Sequence, residues 1–127
     1  MRLLLDTNVL LWAVREPAKL GRSTRAAVAD SANTVFVSAA SPWEIAIKRA
    51  TGKLIVEGDV RDWIGETDFR ELPITIEHGT AAGALPFHHR DPFDRMLVAQ
   101  AQLESLTLVT HDAGLRRYDV AVLDARV

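Results

Sequence analysis

The feature that most constrains this chain is a set of short, unbroken apolar runs, each stopping at a polar or acidic residue. Leu3-Leu4-Leu5 runs into Asp6-Thr7-Asn8, and Leu106-Thr107-Leu108-Val109-Thr110 runs into His111-Asp112. Such runs are too short for a buried helix. They are continuous rather than alternating, so they read as strands covered on both faces. Between them lie helical patterns, and strands alternating with helices specify an α/β fold with a parallel sheet in the middle.

Taken in order, residues 2–5 predict a strand, and Val9, Leu10, Trp12 and Ala13 carry a helix that stops before Pro17. Residues 22–32 predict a second helix, and the β-branched run Thr34-Val35-Phe36-Val37 the next strand. Ser41-Pro42-Trp43-Glu44 has the form of a capping box with proline at the first helical position, opening a helix that ends near Gly52. A short helix is expected around residues 59–64 and a short edge segment at 71–74. A helix from Glu77 to Ala84 is ended by Pro86. Asp91 caps a further helix with Pro92 at its first position and Met96, Leu97 and Ala101 on its apolar face. Strands at 106–110 and 120–123 complete the pattern. With no repeat or linker, residues 1–127 are expected to form one domain.

Composition excludes several kinds of chemistry. There is no cysteine, which rules out disulfides, thiolate metal sites and thiol nucleophiles. A net charge of −2 provides no global attraction to polyanions, so any such partner must be held by a local basic patch. The apolar run at the N-terminus is too short for a signal peptide, and no stretch approaches the roughly 20 apolar residues that span a bilayer. A cytoplasmic protein is expected. Gly-x-Gly-x-x-Gly and Gly-Lys phosphate-loop patterns are missing, which disfavours nucleotide enzymes.

In open parallel sheets, ligands bind at the carboxyl ends of the strands. Asp6 and Asp112 directly follow strands there, while Glu44 and Asp94 fall in first turns of helices that enter from the same edge. Taken singly, each has an ordinary role as a cap or a dipole partner. Together they form a cluster that needs a cation. Like charges about 4 Å apart repel by roughly 4 kcal/mol at an effective dielectric near 20. A hard divalent ion such as Mg²⁺ or Mn²⁺ offsets that repulsion and activates water toward phosphorus. Thr7, Asn8, Ser41 and Thr110 are positioned to orient the acids. Lys48, Arg49, Lys53, Arg90, Arg95, Arg116 and Arg117 are candidates for contacting a phosphate backbone. His88, His89 and His111 lack a helical i, i+4 pair and are not expected to ligate metal. Trp12 and Trp43 are expected in the core. The faces around Leu10, Leu11 and residues 59–64 are candidate partner or dimer surfaces, with core as the alternative.

Four motifs in this order, Leu3-Leu4-Leu5-Asp6-Thr7-Asn8, Ser41-Pro42-Trp43-Glu44-Ile45-Ala46, Asp91-Pro92-Phe93-Asp94-Arg95 and Val109-Thr110-His111-Asp112, resemble the PIN-domain ribonucleases, and within them the VapC toxins of toxin–antitoxin pairs. The resemblance covers almost the whole chain. It implies a three-layer sandwich with a mostly parallel central sheet flanked by helices. It further implies a Mg²⁺- or Mn²⁺-dependent endoribonuclease, usually a homodimer, restrained by a VapB-type antitoxin. Asp6, Glu44, Asp94 and Asp112 match the family's acidic quartet, and Thr110 its hydroxyl residue before the last acid. Two other classes stand against this reading. A phosphate-accepting receiver domain needs adjacent acids after the first strand and a late lysine, whereas Asp6 stands alone and the last third has no lysine. A binding module whose acids are only helix caps would be indifferent to metal.

Overall fold

A computed structural model describes residues 1–127. The expected strands pair into one five-stranded sheet: β1 (Arg2–Leu5), β2 (Thr34–Ser38), β3 (Arg70–Leu72), β4 (Thr107–Thr110) and β5 (Val122–Asp124). Their spatial order is β3-β2-β1-β4-β5, and every pairing is parallel. The helices are α1 (Thr7–Arg15), α2 (Arg22–Ala29), α3 (Ala40–Ala50), α4 (Val60–Glu66), α5 (Ile76–Ala84) and α6 (Pro92–Glu104). None is long and apolar enough to cross a membrane.

Pleating splits the apolar runs between two cores. Leu3, Leu5, Val35, Val37 and Val109 face one layer, packed on Val9, Leu10, Ile45, Val60 and Trp63. Leu4 and Leu108 face the other, against Leu97, Val98 and Ala101 of α6. This is why the strands read as unbroken apolar runs, since both of their faces are covered. It also decides the surfaces left open by sequence. Leu10, Leu11, Val60 and Trp63 are core residues, not a partner face.

Local signals mostly act as read. Asp59, Thr75 and Asp91 each accept from backbone amides as helix caps. At the end of α3, Gly52 takes a φ of +73°, and the Gly52 and Lys53 amides return to the Arg49 and Lys48 carbonyls, the glycine stop expected there. The start of α3 differs from expectation. It begins at Ala40, the Ala40 amide donates to Ser38 Oγ, and no side chain caps the helix from its N-cap position. Ser41 and Pro42 are therefore inside the helix, and Glu44 lies in its second turn rather than its first. The capping box does not form because both of its side chains are turned toward α1. α2 stops at Ala29, short of residue 32, where Asp30 accepts from the Ala32 amide and turns the chain.

Two side chains depart from expectation in burial. Trp43 is 63% exposed, because its position on α3 points away from the sheet, and it meets only the edge of Phe93 at 5.0 Å. Trp12 is half-buried against the core. Arg95, expected at the surface, is 7% exposed and donates to the carbonyls of Ala82, Leu85 and Pro86 at 2.9, 3.2 and 3.0 Å. It thus satisfies the carbonyls at the end of α5 from the adjacent helix, and it is not available to a polyanion. Replacing Arg95 with alanine removes the donor to the Leu85 and Pro86 carbonyls and leaves Ala82 with only the Leu85 amide, so urea denaturation is expected to show a loss of about 2–4 kcal/mol.

Candidate metal centre

The strand order places β1 between β2 and β4, so successive connections leave β1 in opposite directions. Such a switch point opens a crevice beyond the carboxyl ends of the strands. Asp6 leaves β1 there and Asp112 follows β4. Glu44 reaches in from α3 and Asp94 from the first turn of α6. All four line one cleft of about 420 Å³, together with Thr7, Asn8, Lys48, His89 and His111. A larger cavity of about 750 Å³ opens at the opposite end of the sheet, among Arg25, Asp30, Asn33, Asp68 and Arg70. It brings acids and bases together in balance and carries no comparable concentration of charge.

Three of the acids, Asp6, Glu44 and Asp112, are each held by their own set of donors. Asp6 Oδ1 accepts from the Val9 amide at 2.8 Å, capping α1, while Oδ2 accepts from the Thr110 hydroxyl. Glu44 Oε1 accepts from the Thr7 hydroxyl at 2.6 Å, and Lys48 Nζ lies 2.7 Å from Oε2. Ser41 Oγ sits 3.1 Å from Thr7 Oγ1, completing a buried hydroxyl pair behind Glu44. Asp112 Oδ1 accepts from the Gly114 amide at 2.8 Å, and the Asp112 amide donates to Thr110 Oγ1 at 3.0 Å. Asp6 and Asp112 therefore cap the turns that follow them and face the cleft at the same time.

Electrostatics at Asp6, Asp94 and Asp112 differ with burial and with the donors and charges around each. Burial pushes the Asp6 carboxyl up, against the opposing pull of Thr110 and the Val9 amide. Asp94 is pushed up to about 7, first by burial and then by the nearby charges of Asp91, Asp6 and Glu44. At Asp112 burial also pushes upward, but the hydrogen bond from His89, the Gly114 amide and the adjacent imidazoles outweigh it and hold the carboxyl low. Lys48 is held above its ordinary range. Desolvation opposes this, but the hydrogen bond and charge of Glu44, with Asp91 and Asp94 beyond, prevail.

Of the proposed orienting residues, Thr7, Ser41 and Thr110 contact the acids or one another, whereas Asn8 is exposed on the cleft wall without such a bond. Of the proposed polyanion contacts, Lys48 lines the cleft and Arg90 is exposed beside the Asp91 cap. Arg49 is engaged by the Gly58 carbonyl at 2.7 Å and Arg116 by Asp124 at 3.1 Å. His89 is the residue that sequence reasoning undervalued. Its Nε2 is 2.8 Å from Asp112 and 3.5 Å from Asp94. No spacing rule could have found it, since Asp112 is distant in sequence and is brought close only by the sheet.

The profile of the PIN domain matches residues 3–121. The chain belongs to the PIN-domain family. It is 30% identical over 118 residues to Ribonuclease VapC22 of Mycobacterium tuberculosis, an alignment covering 91% of this chain and 90% of that protein. Among solved structures, it superposes on a chain of the VapBC2 complex of Rickettsia felis with a TM-score of 0.70 at 16% identity, covering 97% and 98% of the two chains. FitAcB from Neisseria gonorrhoeae matches with a TM-score of 0.63 at 25% identity, with 97% of each chain covered. The sandwich expected from the motifs is the PIN fold.

The donor set of this PIN domain is carboxylate oxygen from four elements, which suits a hard divalent cation. In the metal-free protein the raised Asp94 carboxyl has a definite sign. Its contribution is fully present below the unfolded titration near about pH 3.9, and it is lost as pH rises through about 7. A displacement of this size is worth roughly 4 kcal/mol. The acids held low, such as Asp112, lose their contribution only on acidification and leave the range from pH 5 to 8 unaffected. The metal-free protein is therefore expected to melt higher at pH 5 than at pH 8 in scanning calorimetry. An Asp94→Asn variant is expected to raise the melting temperature at pH 8 and narrow the difference, leaving the part that Asp6, also pushed up by burial, contributes with the same sign.

Proposed function

We propose that this PIN domain is a Mg²⁺- or Mn²⁺-dependent endoribonuclease, the VapC-type toxin of a toxin–antitoxin pair. The observation that carries the reading is the convergence of four carboxylates from β1, α3, α6 and β4 on one open cleft of a PIN fold. In this reading Asp6, Glu44, Asp94 and Asp112 hold the metal. When bound, a divalent cation lowers the pKa of water toward neutrality and offsets charge on phosphoryl oxygens.

The chain's own residues do the rest. Thr110 and the Val9 amide fix both oxygens of Asp6, and Thr7, backed by Ser41, fixes Glu44. Lys48 balances Glu44 and presents a cation on the cleft wall, where it meets the phosphate backbone of RNA; Arg90, exposed between the cleft residues His89 and Asp91, offers a second cation. With a net charge of −2, binding rests on these few groups, so its salt dependence is shallow, a log–log slope of about −0.7 for each phosphate neutralised. No side chain acts as a covalent nucleophile. Hydrolysis by in-line attack of water leaves a 5′-phosphate and a 3′-hydroxyl. A cognate antitoxin of the VapB type is the restraining partner, in line with the VapBC complexes among the fold relatives, and the active toxin is a homodimer in the cytoplasm.

Purified protein freed of any partner is expected to cleave total RNA with Mg²⁺ or Mn²⁺ and not with EDTA. Asp94→Asn is expected to lower the rate by at least about a hundredfold, since it removes a ligand charge. No cleavage, together with a melting temperature indifferent to either metal, would replace this reading with a binding module whose acids are helix caps.

A further inference from the structure

Burial secures the quartet unevenly. Asp6 and Glu44 are enclosed, and Asp94 is largely so, but the side chain of Asp112 is 42% exposed. An exposed carboxylate on a short turn has several rotamers to choose among, and one amide bond to Oδ1 does not determine where Oδ2 points. The remaining constraint is His89.

The imidazole of His89 is fixed on both sides. Its Nδ1 accepts from the Asp91 amide at 3.1 Å, so that nitrogen offers a lone pair, and the neutral ring carries its proton on Nε2. Nε2 then donates to Asp112 Oδ2 at 2.8 Å. The backbone amide of His89 donates in turn to the Tyr118 hydroxyl at 3.0 Å, and Tyr118 is a buried residue of the second core. Gly114 lies against the pair, where a Cβ would stand 3.1 Å from Asp112 Oδ1 and 3.4 Å from His89 Cδ2.

We infer that His89 is a positioning residue that fixes Asp112 toward the cleft through an Nε2–H donor, and that it is not itself a metal ligand. The inference rests on the metal-site reading above. A nitrogen carrying a proton has no lone pair to give a cation, so its closeness to Asp94 and Asp112 does not make it a third ligand. The arrangement corresponds to the outer-layer partners that orient ligating carboxylates, whose loss typically costs about 10–100-fold in metal affinity.

Three measurements on the full chain test this. Long-range ¹H–¹⁵N spectra of the metal-free protein are expected to show His89 as the Nε2–H tautomer. Calorimetric titration with Mn²⁺ is expected to show His89→Ala binding at least about tenfold more weakly than wild type, at unchanged far-ultraviolet dichroism. His89→Gln, whose amide can donate from near the Nε2 position, is expected to recover most of that loss. An Nδ1–H tautomer, or Mn²⁺ affinity unchanged in His89→Ala against a binding wild type, would overturn the role of His89 alone. Loss of the Nε2 proton on saturation with diamagnetic Mg²⁺ would make His89 a ligand and overturn it as well. A wild type that takes up no Mn²⁺ would remove the metal site and the role together.

Discussion

Mutual repulsion among carboxylates at the carboxyl edge of the sheet is the constraint around which this molecule is arranged. Asp6, Glu44, Asp94 and Asp112 share a cleft with Asp91 close behind, and Lys48 is the cation drawn in among them. Within a low-dielectric setting such a cluster disfavours its own ionisation, as the rise at Asp94 records. The surroundings answer with oriented dipoles. Hydroxyls from Thr7 and Thr110, amides from Val9 and Gly114, and the imidazole of His89 all aim donors at the acids. The cluster is therefore pre-arranged at a cost to the metal-free fold, the pattern expected where a site has been kept for charge it does not itself contain.

How much of this was legible in the chain depends on the range of the interaction concerned. The strands were legible because burial on both faces leaves an unbroken apolar run, as at Leu3-Leu4-Leu5. The Asp91 cap with Pro92 was legible because it is a contact within one turn. Ser41 and Glu44 misled for the same reason. Their spacing satisfies a local motif, but the hydroxyl of Thr7 offers both a better partner from another element. Arg95 looked like a surface cation because nothing near it in sequence shows that the end of α5 lies against it.

Capping and catalysis were also posed as alternatives, and the geometry makes them compatible. A carboxylate has two oxygens and several lone pairs. Asp6 spends Oδ1 on the start of α1, and Asp112 spends Oδ1 on the turn after β4, while each Oδ2 takes one further donor, Thr110 and His89, and keeps a lone pair to spare. The cap is what aims the acid. His89 escaped notice because its meaning lies wholly in a partner brought near by the fold, and a lone histidine before a helix is uninformative by itself.

The order of the strands has a consequence for timing. The cleft needs β1 and β4 side by side, yet Asp6 and Asp112 lie far apart in the sequence, and Asp6 is made long before Asp112. Until β4 emerges and docks beside β1, a growing chain holds the first acid without the fourth, and Asp6 lacks the Thr110 hydroxyl that steadies it. The four acids therefore share one cleft only after β4 has docked beside β1, and a chain cut short before β4 carries that cleft without its last carboxylate.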